Sequence, residues 1–193
     1  MLIAVVGVGA LGAQVVALLR NVRATIRVID FDRVEAKNTE SQFHGRPGSG
    51  KPKVVALGSL MDFLWGVKLQ QRPHRLTSDN VRELLSDANL VIDCLDNAPS
   101  RTIVQNFVRA NSVPCLHGAV DANGTCGRVY WDERFEIEPV GAPGAATCEN
   151  GEHLPFLTVV AAYIAHSTKE FVAKGRRLSY QVTPTSTILV YAS

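Results

Sequence analysis

A chain of 193 residues, 46% hydrophobic and 20% charged, is long enough to bury one sizeable core and has ordinary globular composition. Its 20 basic and 18 acidic residues are spread along the sequence for a formal net charge of +2, which leaves no electrostatic footprint for nucleic acid or an anionic membrane. The four cysteines, Cys94, Cys115, Cys126 and Cys148, occur singly, a pattern that favours reduced thiols in a cytoplasmic protein over a disulfide framework or a zinc site.

The opening run, MLIAVVGVGALGAQVVALL, is interrupted by glycines at Rossmann spacing and has no basic segment before it. It therefore reads as a first strand, Leu2 to Val6, and a helix, Ala13 to Leu19, rather than a signal peptide or membrane anchor. Thr25 to Ile29 is a second strand rich in β-branched residues, ending at Asp30. A glycine and proline loop, Gly45 to Pro52, precedes a helix from Val54 to Phe63. Val67 to Leu69 is a weak third strand, and Asp79 to Leu85 a short helix that Ser78 would cap. Ala88 to Ile92 is a buried strand ending at Asp93, followed by a helix from Arg101 to Ala110 and strands Val113 to His117 and Gly127 to Trp131, the latter antiparallel. A loop from Glu136 to Gly151 leads into an apolar helix, Pro155 to Val172, with Gly175 as its stop, and Ser179 to Val182 with Thr187 to Tyr191 form a closing hairpin. The alternation predicts one α/β domain over residues 1–193: a Rossmann-like, doubly wound, mostly parallel sheet with helices on both faces and a C-terminal antiparallel extension.

Chemistry concentrates where these strands end. Gly7-x-Gly9-x-x-Gly12 lets backbone approach a phosphate and lets the following helix pack close to the strand. Asp30, eighteen residues past Gly12, stands where a Rossmann acid accepts hydrogen bonds from ribose hydroxyls; the alternative is an acid that closes the strand-to-loop turn. Gly45-Arg46-Pro47-Gly48-Ser49-Gly50-Lys51-Pro52 imitates a P-loop, but Pro52 replaces the Mg²⁺-binding hydroxyl and no buried strand leads into Gly45. In Asp93-Cys94-Leu95-Asp96-Asn97 a buried strand breaks into a polar turn at the carboxyl edge of the sheet. Asp96 there is a candidate Mg²⁺ ligand and Asn97 a candidate ligand contact, against an Asx turn opening the next helix. Cys148, in a loop before an apolar helix, is either a nucleophile or an inert thiol, and Cys94 and Cys115 read as packing residues. His44, His74, His117, His153 and His166 show no metal-ligand spacing.

Taken in order, GVGALG, VIDFDRVEAKN with Gln42, GKPK, VIDCLDN with Arg101, and the tail from Cys148-Glu-Asn-Gly through the following helix resemble the ThiF/MoeB/HesA family, bacterial relatives of ubiquitin-activating enzymes. The resemblance covers nearly the whole chain. It implies ATP-dependent adenylation of the C-terminal glycine of a small ubiquitin-like or sulfur-carrier protein, with Mg²⁺, in a homodimer. Carried over by position, Gly7, Gly9 and Gly12 would line the nucleotide and Asp30 would hold the ribose. Asn38 and Lys53 would contact phosphates, and Asp32, Gln42 and Asn97 would complete the site. Asp96 would bind Mg²⁺, and Cys148 would correspond to the loop cysteine that in some members bonds to the carrier or carries sulfur, which makes Lys53, Asp96 and Cys148 the candidate catalytic residues.

The chain departs from the pattern in three places. Ser41 stands where the family has an arginine before the glutamine, a cation that a hydroxyl cannot replace. The sequence opens directly on its first strand, without the N-terminal helix whose arginine reaches the partner subunit's ATP in many members. The paired C-x-x-C motifs of many relatives are missing, so no structural zinc is expected. Two other readings follow: a non-catalytic nucleotide-binding or scaffold relative that recognises such a carrier, and, from the glycine turn with Asp30 alone, an NAD-dependent oxidoreductase.

Overall fold

In the computed structural model, which describes residues 1–137 and 153–193 and only the backbone at Glu40 and Ser41, β1 (Leu2–Val6) is the middle strand of the parallel part of the sheet. Its alternate residues enter two different cores, Ile3 and Val5 on one face, Ala4 and Val6 on the other. A strand covered on both faces has no solvent side to mark with polar residues, so its sequence is unbroken apolar.

In chain order there follow α1 (Ala10–Leu18), β2 (Thr25–Ile29), a short α2 (Asn38–Ser41), α3 (Lys53–Trp65), β3 (Gln70–Arg72), α4 (Val81–Leu85), β4 (Leu90–Asp93) and α5 (Ala98–Asn111). Then come β5 (Cys115–Val120), β6 (Gly127–Trp131), α6 (Leu154–Lys174), β7 (Leu178–Val182) and β8 (Thr187–Ala192). The described residues form an eight-stranded sheet in the order β3-β2-β1-β4-β5-β6-β7-β8. The first five of these strands are mutually parallel, and β6, β7 and β8 are added antiparallel. Residues of α1, α3 and α6, such as Val15, Leu57 and Ile164, fill the core on one face, while α4 and α5 supply Leu84 and Val104 to the other. Each fully buried Leu or Ile is worth roughly 1.5–3 kcal/mol over leaving it exposed. Ile3, Leu90 and Ile92, all 0% exposed, therefore make β1 and β4 the anchored pair at the middle of the sheet. The doubly wound, mostly parallel sheet with an antiparallel C-terminal extension is the predicted architecture.

Three local expectations need correction. The third strand is Gln70–Arg72 rather than Val67 to Leu69. Val67 still belongs to the end of α3: Gly66 takes a left-handed φ of 66°, and the amides of Gly66 and Val67 donate back to Asp62 and Met61. Ser78 does not cap α4, which starts at Val81; instead Asn80 Oδ1 accepts the Thr77 amide at 2.8 Å. Finally α5 begins at Ala98, three residues before Arg101, because Asn97 accepts the Ser100 amide at 3.0 Å and opens the helix early.

Among the described residues no helix is long and apolar enough to cross a membrane. β8, at the end of the sheet, is exposed at Ile188, Leu189 and Val190.

Candidate active site

The register of the parallel strands brings the motifs together. Val6 is level with Ile29 on one side and with Asp93 on the other, so the glycine turn, Asp30 and the Asp93 to Asn97 turn all leave the sheet at its carboxyl edge. Between β1 and β4 the strand order reverses, the place where open α/β sheets bind ligands.

The glycine turn is fixed by contacts that no side chain could share. Gly7 has φ +83°, and a Cβ on it would lie 2.9 Å from the Cys94 carbonyl oxygen. A Cβ on Gly12 would lie 1.9 Å from the Gly7 carbonyl oxygen. Around Gly9, by contrast, nothing comes within 4 Å of where a Cβ would be, so the backbone that opens α1 is bare toward any ligand. That helix has no side-chain cap and no acid in its first turn, which leaves its N–H groups and dipole available to an anion.

Asp30 serves the turn first. Oδ2 accepts the Val8 amide and Oδ1 the Asp32 amide, each at 2.8 Å. Burial raises its pKa, and these two backbone bonds and the nearby Lys53 only partly offset that. The carboxylate thus ties β2 to the glycine turn, the turn-closing role, while each oxygen keeps a lone pair. Lys53, at the first position of α3, is 7% exposed, and its Nζ lies 3.0 Å from Asp32 Oδ2. The ammonium has three donors and spends one there. The P-loop mimic upstream folds as a 3₁₀ turn, Arg46–Gly48, and Pro52 bridges to Arg33 rather than following a strand.

Asn38 is buried, with Oδ1 accepting the Glu35 amide at 2.9 Å, and its carbonyl accepts the Gln42 amide. Gln42 Oε1 is a buried acceptor without a partner among the described residues. His44, which the sequence did not single out, is 2% exposed and its Nε2 is 2.8 Å from the Val8 carbonyl oxygen of the glycine turn. Burial lowers its pKa, and its Nδ1 has no partner among the described residues.

Across the strand order reversal, Asp96 is exposed and touches Asn97 Nδ2 at 3.3 Å. Asn97 itself spends Oδ1 on capping α5, the Asx-turn reading of that residue. Mg²⁺ is bound in many phosphate sites by one or two carboxylates plus the substrate's own oxygens. An exposed Asp96 with free lone pairs fits that arrangement, and no cluster of three or more His, Cys, Asp or Glu able to hold a metal occurs among the described residues. Ser41's side chain and the whole of Cys148 lie outside the described residues.

What sequence reading missed lies beneath this turn. Asp93, 0% exposed, accepts Arg101 Nη1 at 2.8 Å and His117 Nδ1 at 2.7 Å on Oδ2, and the Leu95 amide at 2.9 Å on Oδ1. Arg101 also donates to the carbonyls of Leu95 and Gly118. His117 Nε2 is 3.1 Å from Asp132 Oδ1, and Asp132 is further held by Gln105 at 3.0 Å and Arg109 at 2.7 Å. Burial works to raise the Asp132 pKa, but His117, Arg109 and Gln105 hold it at about 2. The only local signal was an acid and a histidine at matching depth in adjacent strands.

The ThiF family model matches residues 1–172. The SAMP-activating enzyme E1 of Haloferax volcanii is 31% identical over 158 residues, covering 75% of this chain and 58% of the relative. The sulfur carrier protein adenylyltransferase of Thermus thermophilus is 34% identical over 121 residues, covering 61% of this chain and 45% of the relative. Among solved structures, E. coli tRNA N6-threonylcarbamoyladenosine dehydratase, TcdA, in complex with ATP, superposes with a TM-score of 0.65 at 21% identity, covering 90% of this chain and 86% of that one. The chain spans about half the length of the curated relatives it matches, at 58% and 45%. With most of its length matched and the glycine turn, the acid-ended strands and the Asp96 turn meeting at one sheet edge, the chain belongs to the ThiF family.

Proposed function

We propose that this protein binds Mg-ATP at the carboxyl edge of β1, β2 and β4 and adenylates the C-terminal carboxylate of a small ubiquitin-like or sulfur-carrier protein. One observation carries the reading: the bare α1 N-terminus, Asp30 and the Asp96 turn leave one sheet edge from three adjacent strands, and Lys53 at the start of α3 is tied to the loop after β2 through Asp32. The relatives' names, adenylyltransferase and activating enzyme, describe the same chemistry.

In that reaction a carboxylate oxygen of the carrier attacks the α-phosphorus of ATP, and the bond to pyrophosphate breaks. Little covalent work falls to the protein, so its part is orientation and charge neutralisation. The amides after Gly9 would receive phosphate oxygens, and Asp30 the ribose hydroxyls. Lys53 would lend its two remaining donors to the phosphates, and Asn38 its Nδ2 amide group, since Oδ1 is committed to Glu35. Asp32 sets the position of Lys53, and Gln42 offers its unpartnered Oε1. Asp96 would hold Mg²⁺, whose contribution is to neutralise phosphate charge. Thioester or persulfide formation at Cys148, assembly as a homodimer and a cytoplasmic location belong to the same proposal.

Ser41 favours a second reading, a relative that binds nucleotide and carrier without turnover, because a single lost charged contact costs on the order of a hundredfold in rate. Calorimetric titration of Mg-ATP, with NAD as competitor, tests the site: binding is expected, and Lys53→Ala and Asp96→Ala are expected to weaken it at least about tenfold. Absence of ATP binding, or unchanged binding in both variants, overturns the assignment. Carrier-dependent ATP–pyrophosphate exchange then separates catalyst from scaffold.

A further inference from the structure

His117 is buried at 0% exposure between two carboxylates on different elements, Asp93 at the end of β4 and Asp132 just past β6. A neutral imidazole has one N–H, so it would turn a lone pair toward one of those carboxylates. Both carboxylates are kept ionised by arginines, Asp93 by Arg101 at 2.8 Å and Asp132 by Arg109 at 2.7 Å. Only the doubly protonated ring donates to both. The groups facing it are these two acids, the Cys115 thiol beside it on β5, and the Phe135 ring stacked 4.2 Å away at 5°. Burial opposes the charge, but the bonds to Asp132 and Asp93 outweigh it and hold the pKa well above 6.5.

Burying such a cluster gains little stability over apolar packing, since desolvation offsets most of the Coulombic attraction. What it does gain is direction. Asp93 holds the Leu95 amide, Arg101 holds the Leu95 carbonyl, and Asp96 is the next residue. The turn that presents Asp96 therefore hangs at Leu95 from two charged groups, and His117 fixes the first of them from behind.

We infer that His117 is a positioning residue for the nucleotide site: its imidazolium, clamped between Asp93 and Asp132, holds the Leu95 turn so that Asp96 faces the metal-bearing phosphates. The inference deepens the adenylation reading and rests on it for what Asp96 meets, though not for what holds the turn. It gives a task to a histidine that lies outside every sequence motif.

The test uses the full chain with His117→Gln, whose neutral amide donates from a single nitrogen, and His117→Leu, which donates from none. Val104→Ala, a core truncation on α5, serves as the control for plain destabilisation. Amide hydrogen exchange of the ligand-free protein is expected to quicken at Leu95 while the amides of β1 and β2 keep their protection. Half-saturating Mg²⁺ in pyrophosphate exchange is expected to rise roughly 10–100-fold, with metal-free AMP binding unchanged and His117→Gln falling between wild type and His117→Leu. Leu95 protected as in wild type, or exchange spread across the sheet as in Val104→Ala, overturns the inference. If neither histidine variant folds, Asp132→Asn, altering a carboxyl nearer the surface, is read by the same two measurements. If wild type fails to bind Mg-ATP, the adenylation reading falls while exchange at Leu95 still decides whether His117 holds the turn.

Discussion

Lys53 and His117 are both buried cations beside aspartates, yet they are held differently. Lys53 pairs with one half-exposed carboxylate and retains donors, which the proposed function assigns to phosphates. His117 has every polar atom engaged and nothing left to offer a ligand. The difference predicts pH behaviour. A histidine whose folded pKa is raised stabilises fully below its ordinary value of 6.5 and loses that contribution as pH climbs through the raised value. Asp93 and Asp132 are depressed below 3.8, so theirs is present above 3.8 and is lost as pH falls, for Asp132 down to about 2. Melting temperature is thus expected to be flat only from about pH 4 to about pH 6 and to decline on the alkaline side from about pH 6.5, through neutrality, toward the raised value. In His117→Leu that alkaline decline should shrink, which calorimetric scans over about pH 5 to pH 10 would check.

At the level of elements, the turn between β4 and α5 does two jobs at once. Asn97 opens the helix with its Oδ1, and Asp96 next to it is exposed, the residue the proposed function gives to Mg²⁺. Asn97→Ala should therefore cost about 1 kcal/mol in urea unfolding, the worth of an N-cap, with Mg-ATP affinity changed far less than in Asp96→Ala. Equal losses of affinity in the two variants would return Asn97 to the ligand. Here the sequence was legible where chemistry is local. A glycine at φ +83°, or one whose Cβ would fall 1.9 Å from a carbonyl oxygen, admits no other residue, and acids that end buried strands mark the carboxyl edge. It was illegible where partners are remote: His117 meets Asp93 across 24 residues and Asp132 across 15, joined only by register. β3 failed for a different reason. Val67 looks like the start of an apolar strand but is spent on closing α3, so pairing with β2 begins at the polar Gln70.

For the whole molecule, the doubly wound half and the antiparallel half divide the labour. The parallel strands bring the glycine turn and the acid-ended strands to one edge, and β6 to β8 extend the sheet away from them. The alternation of strand and helix made the first half predictable, whereas the antiparallel half was readable only as turns between short apolar runs. Asp132 shows that the halves are not independent, since it sits past β6 and yet steadies a turn after β4. The far end of the sheet has another consequence. From Thr187 to Ala192 β8 carries no charge and no proline, Ile188, Leu189 and Val190 are exposed, and no strand among the described residues pairs with its outer edge. Such an edge invites strand-on-strand stacking between molecules, so purified material should grow turbid on concentration or storage. Leu189→Lys is expected to keep the same preparation monodisperse by light scattering, with its melting temperature within a few degrees of the parent.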